Sequence, residues 1–165
     1  MAPKNKIDEQ LNNSISSNKI SIATFMTTDY PEHETFMDIS LKFCEMGVDI
    51  LEFGIPFSDP IAEGRTIQET TFKALENGIN ITNCFESISL IRKKGYMTPI
   101  VIMGYYNPIL KYGLESFAKK ANQSGVDGII VADLPIEEST HLRNLCNSNN
   151  IHLIQMLAPT STAER

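Results

Sequence analysis

Leu51-Glu52-Phe53-Gly54-Ile55-Pro56-Phe57-Ser58-Asp59-Pro60-Ile61-Ala62-Glu63-Gly64-Arg65-Thr66-Ile67-Gln68 opens as the end of an apolar run, Val48-Asp49-Ile50-Leu51, and closes in a loop rich in proline and glycine. The run reads as a strand, and Glu52 stands where it finishes; Asp59 and Glu63 follow in the loop. In parallel α/β proteins, chemistry gathers at the C-terminal ends of the strands. A glutamate in an otherwise apolar strand is costly to desolvate, so it has a partner or a purpose. Pro56 and Pro60 stiffen the loop, while Gly54 and Gly64 allow it unusual turns. The segment points to acid–base chemistry at a strand end; the competing reading is a buried glutamate held by backbone or hydroxyl groups.

Working outward, five apolar runs recur, at Ile20–Met26, Val48–Phe53, Pro99–Tyr105, Gly128–Leu134 and Ile151–Leu157. Most are continuous in Ile, Val and Leu, the pattern of parallel strands buried on both faces. Between them lie apolar residues at helical spacing: Phe36, Ile39, Phe43 and Met46; Phe72 and Leu75; Phe85, Ile88 and Ile91; Leu114, Phe117 and Ala121; Leu142, Leu145 and Cys146. Gly47, Gly78, Gly95 and Gly125 follow the last apolar residue of their helices and read as C-terminal stops. The expected order is β-α-β-α-α-β-α-β-α-β, with an extra helix after the second strand. Met46-Gly47-Val48-Asp49 and Ser124-Gly125-Val126-Asp127 echo each other before two of the strands, a sign of a repeated βα unit. No linker divides the chain, so residues 1–165 read as one domain. The polar segment 1–19 holds a short helix around Ile7 to Leu11 or frays. After the fifth strand, Thr160 or Ser161 is expected to cap a helix with Glu164 in its first turn.

Composition narrows the function. A net charge of −6 argues against a nucleic-acid binder. No apolar run approaches a membrane span, and the polar N-terminus has no secretory h-region. Cys44, Cys84 and Cys146 are odd in number and far apart, which suits a reducing compartment and small buried roles. Neither a phosphate-binding G-x-x-x-x-G-K-[ST] loop nor a G-x-G-x-x-G fingerprint occurs. His33, His141 and His152 are scattered without metal-ligand spacing or an obvious carboxylate partner, and read as surface residues. No lysine lies within an expected strand, which weakens a Schiff-base mechanism. Carboxylates at strand ends remain. Tyr105, closing the third strand, can wall a pocket with its ring and donate through its hydroxyl, or pack in the core. Asp133 ends the fourth strand and can orient loops by hydrogen bonding. Phe25 and Met156 lie near the ends of the first and fifth strands as apolar floor or ceiling, or as plain core. Asp59, in Ser58-Asp59-Pro60, is first a turn former or a partner contact.

Taken as a set, residues 51–68 closely resemble the signature of the tryptophan synthase alpha chain family. Met103-Gly104-Tyr105-Tyr106-Asn107-Pro108, Val131-Ala132-Asp133-Leu134-Pro135-Ile136-Glu137-Glu138 and Leu157-Ala158-Pro159-Thr160-Ser161-Thr162 agree in order. The resemblance runs from about Ile20 to Arg165 and covers about the N-terminal three-fifths of the family's length. It implies a (β/α)8 TIM barrel, here a partial one of about five parallel strands with intervening helices. It implies a carbon–carbon lyase of tryptophan biosynthesis, cleaving indole-3-glycerol phosphate to indole and glyceraldehyde 3-phosphate. It implies a beta-chain partner in an alpha2beta2-type heterotetramer. No cofactor is implied for this chain and no metal; pyridoxal phosphate is expected only in the beta partner. A cytoplasmic location follows, with a plastid stroma as the alternative.

The family's proton-moving glutamate falls on Glu52, which takes the glycerol hydroxyl proton and helps protonate the indole ring carbon. Its second acid, which holds the indole N–H, falls on Glu63. Phe25, Ile67, Tyr105 and Met156 fall on positions lining the indole pocket. Pro56, Asp59, Asn107 and Pro135 fall on loops facing the beta chain. The chain departs from the family in three places: Glu63 stands where the family has Asp, Arg65 replaces a usual Pro and could pair with Glu63, and Thr28-Asp29-Tyr30-Pro31 replaces a usual Gly-Asp-Pro. The parts of the family that hold the substrate phosphate lie beyond the resemblance, so a fragment of a longer gene product, poorly stable alone, is the expectation. The alternative is a truncated, non-catalytic partner of a beta chain.

Overall fold

The computed structural model describes residues 4–163. In chain order the elements are α1 (Lys6–Ser16), β1 (Ala23–Thr27), α2 (His33–Glu45), β2 (Ile50–Gly54), α3 (Arg65–Glu76), α4 (Ile81–Lys93), β3 (Ile100–Gly104), α5 (Tyr106–Tyr112), α6 (Leu114–Ser124), β4 (Gly128–Val131), α7 (Thr140–Ser148) and β5 (His152–Ile154). The strands pair in parallel in the order β1-β2-β3-β4-β5. A doubly wound sheet reverses its strand order at a switch point. This sheet never reverses, and each strand lies beside its predecessor, so the winding is that of a barrel wall. The five strands form an incomplete (β/α)8 barrel, as expected.

Register explains which side chains face where. Phe25, Glu52, Val101, Gly128 and His152 share one row across the sheet; Thr27, Gly54, Met103, Ile130 and Ile154 share or neighbour the next row on the same face. The alternate residues Leu51, Phe53, Ile100, Ile102 and Ile129 are all fully buried on the opposite face. There they form one cluster with Phe36 of α2, Phe85, Ile88 and Ile91 of α4, Phe117 of α6 and Leu142 of α7. Phe36 meets Phe53 edge to face with ring centroids 4.9 Å apart. Each such ring contributes about 2 kcal/mol through burial.

From Lys6 to Ser16 the N-terminal segment is helical, longer than the expected Ile7 to Leu11. Asn5 caps α1 by accepting the Ile7 N–H at 2.9 Å, and Asp8 returns a bond to the Asn5 N–H at 2.8 Å. The helix then crosses the strand starts. Ile7 sits over Gly128, where an added Cβ would lie 2.8 Å from Ile7 Cδ1. Lys6 Nζ pairs with Asp127 at 2.6 Å, His152 Nε2 with Asp8 at 2.7 Å, and Gln10 Nε2 bonds Asp49. The sequence echo before β2 and β4 has a common purpose here. Asp49 accepts the Ile22 N–H at 2.8 Å and Asp127 the Ile100 N–H at 2.9 Å, each stapling the start of the preceding strand. Asp127 also takes Arg92 Nη2 at 2.8 Å.

Several sequence expectations need correction. The strands are shorter than the apolar runs: β1 begins at Ala23, and Ile20 and Ile22 are exposed. β5 is only three residues long because it pairs along the short β4. Ile39, Met46 and Phe72 are exposed; α2 buries Phe36, Met37 and Ser40, and α3 buries Thr71 and Ala74. Helix α5 was not expected: Asn107, read as a loop residue, lies in its first turn, and Pro108 follows in the same turn, where its missing N–H costs nothing. The four stop glycines do adopt positive φ, between 78° and 91°. No helix follows β5 among the described residues; Ser161 instead closes a turn onto Ala158, and the expected first-turn Glu164 lies outside the described residues.

Candidate active site

Glu52 does not end its strand, as the sequence suggested: it is the middle residue of β2, two residues short of Gly54, on the face opposite the helices and in register with Phe25. Two residues on, Gly54 occupies the same face and has no side chain. The Phe25 ring fills that space, its Cζ lying 2.7 Å from where a Cβ would stand. An aromatic ring therefore lies over the next position of the strand. The Glu52 carboxyl makes no hydrogen bond or ion pair among the described residues, and burial alone pushes its pKa above the ordinary carboxylate value. It is a group able to gain and lose a proton on this face of the strand.

The loop after β2 brings the second acid up. Pro60 is buried, Ile61 and Ala62 are exposed, and Glu63 is half-buried. Tyr105 Oη accepts the Ala62 N–H at 3.0 Å, and the Tyr105 ring packs on Phe57 with centroids 5.1 Å apart. Glu63 lies close enough that its charge, after burial, raises the Tyr105 hydroxyl pKa. Burial also raises Glu63, and its Oε2 is buried with no hydrogen-bond partner. Arg65 does not pair with Glu63: its Nε meets Glu69 at 3.0 Å on the exposed face of α3. The reason is helical spacing, since Glu69 lies four residues on and on the same side.

The remaining expected residues divide. Phe25 and Ile67 line one cavity of about 240 Å³ with Tyr30, Pro31, Ile39 and Thr70. Met156 is exposed and lines a separate cavity with Asp133, Leu134 and Pro135. Asp133 orients a loop, as expected, accepting the Tyr106 N–H at 2.7 Å. Asp59, Asn107 and Pro135 are exposed, whereas Pro56 is buried. Pro56 and Pro108 line a cavity of about 280 Å³ between β2, α4 and α5.

His33 and His141 are exposed, as expected, and His152 is half-buried; the departure from expectation lies in their partners. Each has a carboxylate beside it: Asp29 at 3.0 Å from His33, Glu115 at 3.5 Å from His141, and Asp8 at 2.7 Å from His152. These partners come from a loop, a neighbouring helix and α1, and only the i,i+4 pair was open to sequence reading. In the departing Thr28-Asp29-Tyr30-Pro31 segment, Asp29 is buried at φ 54° and also accepts from Ser87 Oγ at 2.8 Å. No group of acids, histidines or cysteines suited to a metal occurs among the described residues. Cys84 and Cys146 are buried, each thiol pushed up to about 12 by burial. No helix among the described residues is long and apolar enough to cross a membrane.

Known proteins share this arrangement. The sequence profile of the family described as "Tryptophan synthase alpha chain" matches residues 11–165. The chain is 45% identical over 153 residues to the tryptophan synthase of Saccharomyces cerevisiae, a match covering 93% of this chain and 22% of the yeast protein. The crystal structure of tryptophan synthase subunit alpha from Legionella pneumophila superposes with a TM-score of 0.94 at 35% identity, over 98% of this chain and 62% of that one. A chain in the tryptophan synthase complex from Pyrococcus furiosus superposes with a TM-score of 0.82 at 37% identity, over 87% of this chain and 59% of that one. The chain thus spans less than two thirds of the length of each of these relatives.

Proposed function

The chain belongs to the tryptophan synthase alpha chain family, and from that premise we propose that Glu52 and Glu63 serve the cleavage of indole-3-glycerol phosphate to indole and glyceraldehyde 3-phosphate. Glu52 takes the proton of the glycerol hydroxyl next to the indole. The oxygen's electron pair becomes the aldehyde carbonyl as the carbon–carbon bond breaks, and the indole ring carbon receives a proton in exchange. A carboxyl that both takes and gives protons works best with a raised pKa, which desolvation supplies at Glu52. Glu63 holds the indole N–H, an acceptor role that suits its partnerless Oε2. Phe25, Ile67, Tyr105 and Met156 contribute to the indole pocket.

The observation that carries this reading is Glu52 itself: a partnerless, desolvated carboxyl on the face of a parallel strand that the helices leave free, beside an aromatic ring. The test is indole release from indole-3-glycerol phosphate by the natural protein and by Glu52→Gln. The variant is expected to lose turnover by about 10²- to 10⁴-fold; equal turnover in the two would overturn the reading. A purely non-catalytic role drew support from Arg65 masking Glu63, and Arg65 is engaged with Glu69 instead.

The partner in this reading is a beta chain holding pyridoxal phosphate, in an alpha2beta2-type assembly. Exposed Asp59, Asn107 and Pro135 would meet it, with Pro56 buttressing from beneath. The solved Pyrococcus furiosus protein is a complex, which supports this assignment. This reading assigns no cofactor to the chain itself. Free cysteines support a reducing compartment, the cytoplasm or a plastid stroma.

A further inference from the structure

The loop that carries Glu63 is held from two sides. From the strand side, the Tyr105 hydroxyl accepts the Ala62 N–H at 3.0 Å. From the helix side, Gln68 Nε2 donates to the Glu63 carbonyl at 2.9 Å and reaches the Pro60 carbonyl at 3.4 Å. Both of its partners are carbonyls, which only accept, so the amide nitrogen must be the atom facing the loop. The turn closes on itself as the Glu63 N–H donates to the Pro60 carbonyl at 3.2 Å. Gln68 is anchored at its other end: its own N–H donates to the Gly64 carbonyl at 3.0 Å in the first turn of α3. The side chain thus folds back over the turn from which its helix springs.

The Glu63 carboxyl, by contrast, makes no hydrogen bond, and one of its oxygens is buried. With no hydrogen bond at its tip, its place is set through its backbone. Among the described residues, Gln68 is the side chain that bonds that backbone. We infer that Gln68 is the positioning residue for Glu63, fixing where this acid, one methylene longer than aspartate, presents its carboxyl. The inference deepens the proposed reaction and rests on the role given there to Glu63.

Two variants separate positioning from mere packing. Gln68→Met keeps the length and removes the donor; Gln68→Lys keeps a donor able to reach both carbonyls. In the natural protein, Gln68→Met is expected to lower kcat for indole release by about 10²-fold, the cost of an ångström-scale misplacement. Gln68→Lys is expected to recover most of that loss. On a Glu63→Ala background, Gln68→Met should then change kcat by less than about twofold, because the group it positions is gone. An undiminished loss on that background, or a lysine variant no better than methionine, overturns the inference. A second readout is independent of turnover. Titration of the Glu63 carboxyl by ¹³C NMR should show its midpoint falling toward the ordinary carboxylate range in Gln68→Met, as the freed loop admits water. If the unaltered protein releases no indole, the proposed reaction fails and this titration alone decides for Gln68; an unmoved midpoint overturns it.

Discussion

The two rims of the sheet use the same kind of side chain to opposite ends. At the rim where the strands begin, carboxylates are saturated with partners. Asp127 takes Lys6, Arg92 and the Ile100 N–H; Asp49 takes Gln10 and the Ile22 N–H; Asp8 takes the Asn5 N–H and His152. Toward the rim where the strands end, Glu52, two residues inside it, and Glu63, in the loop beyond it, take nothing. The electrostatics follow: the Asn5 N–H first, and then His152, hold Asp8 below the usual carboxylate range, whereas burial pushes Glu52 and Glu63 above it. Saturated acids lock the backbone, and unsatisfied ones remain free to exchange protons. Asp29 and Asp133 refine the contrast, since both lie beyond strand ends and are partnered, and both tie loops down.

The largest expected effect comes from the open rim. Glu52→Gln should abolish most turnover, by the 10²- to 10⁴-fold already given, and yet stabilise the fold at neutral pH. The sign follows from linkage: a carboxyl whose pKa is raised on folding is harder to ionise in the native state. Stability is therefore lost as pH rises from the ordinary carboxylate value through the raised one. Urea unfolding at pH 7 should show the gain, and it should vanish below about pH 4, where the unfolded glutamate is also protonated. A glutamine variant less stable at pH 7 would mean that Glu52 has a partner after all.

Next is the saturated rim. Asp127→Ala leaves Arg92 largely buried beside an empty place and should cost about 3 kcal/mol in denaturant unfolding, while leaving the midpoint of Glu63 titration where it was. A cost near zero would erase the distinction between the rims. Tyr105→Phe lies between the two, removing the acceptor for the Ala62 N–H. It should cost about 1 kcal/mol locally, seen as faster amide exchange at Ala62 with slower exchangers in the sheet unaffected. The smallest effect is Asp8→Asn. Its lowered pKa means that the native carboxylate adds stability above the ordinary value and loses it as pH falls through the lowered one. The asparagine variant should be slightly weaker at pH 7, and the difference should shrink as the pH is lowered below the ordinary carboxylate value.

Much of this contrast was legible in the chain. Continuous Ile/Val/Leu runs broken by C-terminal glycines disclosed parallel strands and their helices, because burial on both faces leaves that mark in composition. Glu52 stood out because it interrupts such a run. What stayed hidden was pairing between distant residues. Asp127 meets Lys6 and Asp8 meets His152 across most of the chain length, and no local spacing announces that. Gln68 lay inside the decisive stretch, yet a glutamine in a first helical turn looks like any other until the turn before it is seen folding underneath. Phe72 and Met46 misled for the opposite reason: apolar residues at helical spacing need not face the core, and both are exposed.

The placement of α1 also dictates an order of events. Its bonds to Asp127, Asn150 and His152 reach 122 to 145 residues along the chain, so its docking surface does not exist until β4 and β5 have assembled. Contacts of such sequence separation demand a long loop closure before they repay it. Although α1 precedes every other element described, it is therefore the last of them to seat, and an environment-sensitive dye on its exposed Ile15 side would report completion of the wall, not its nucleation.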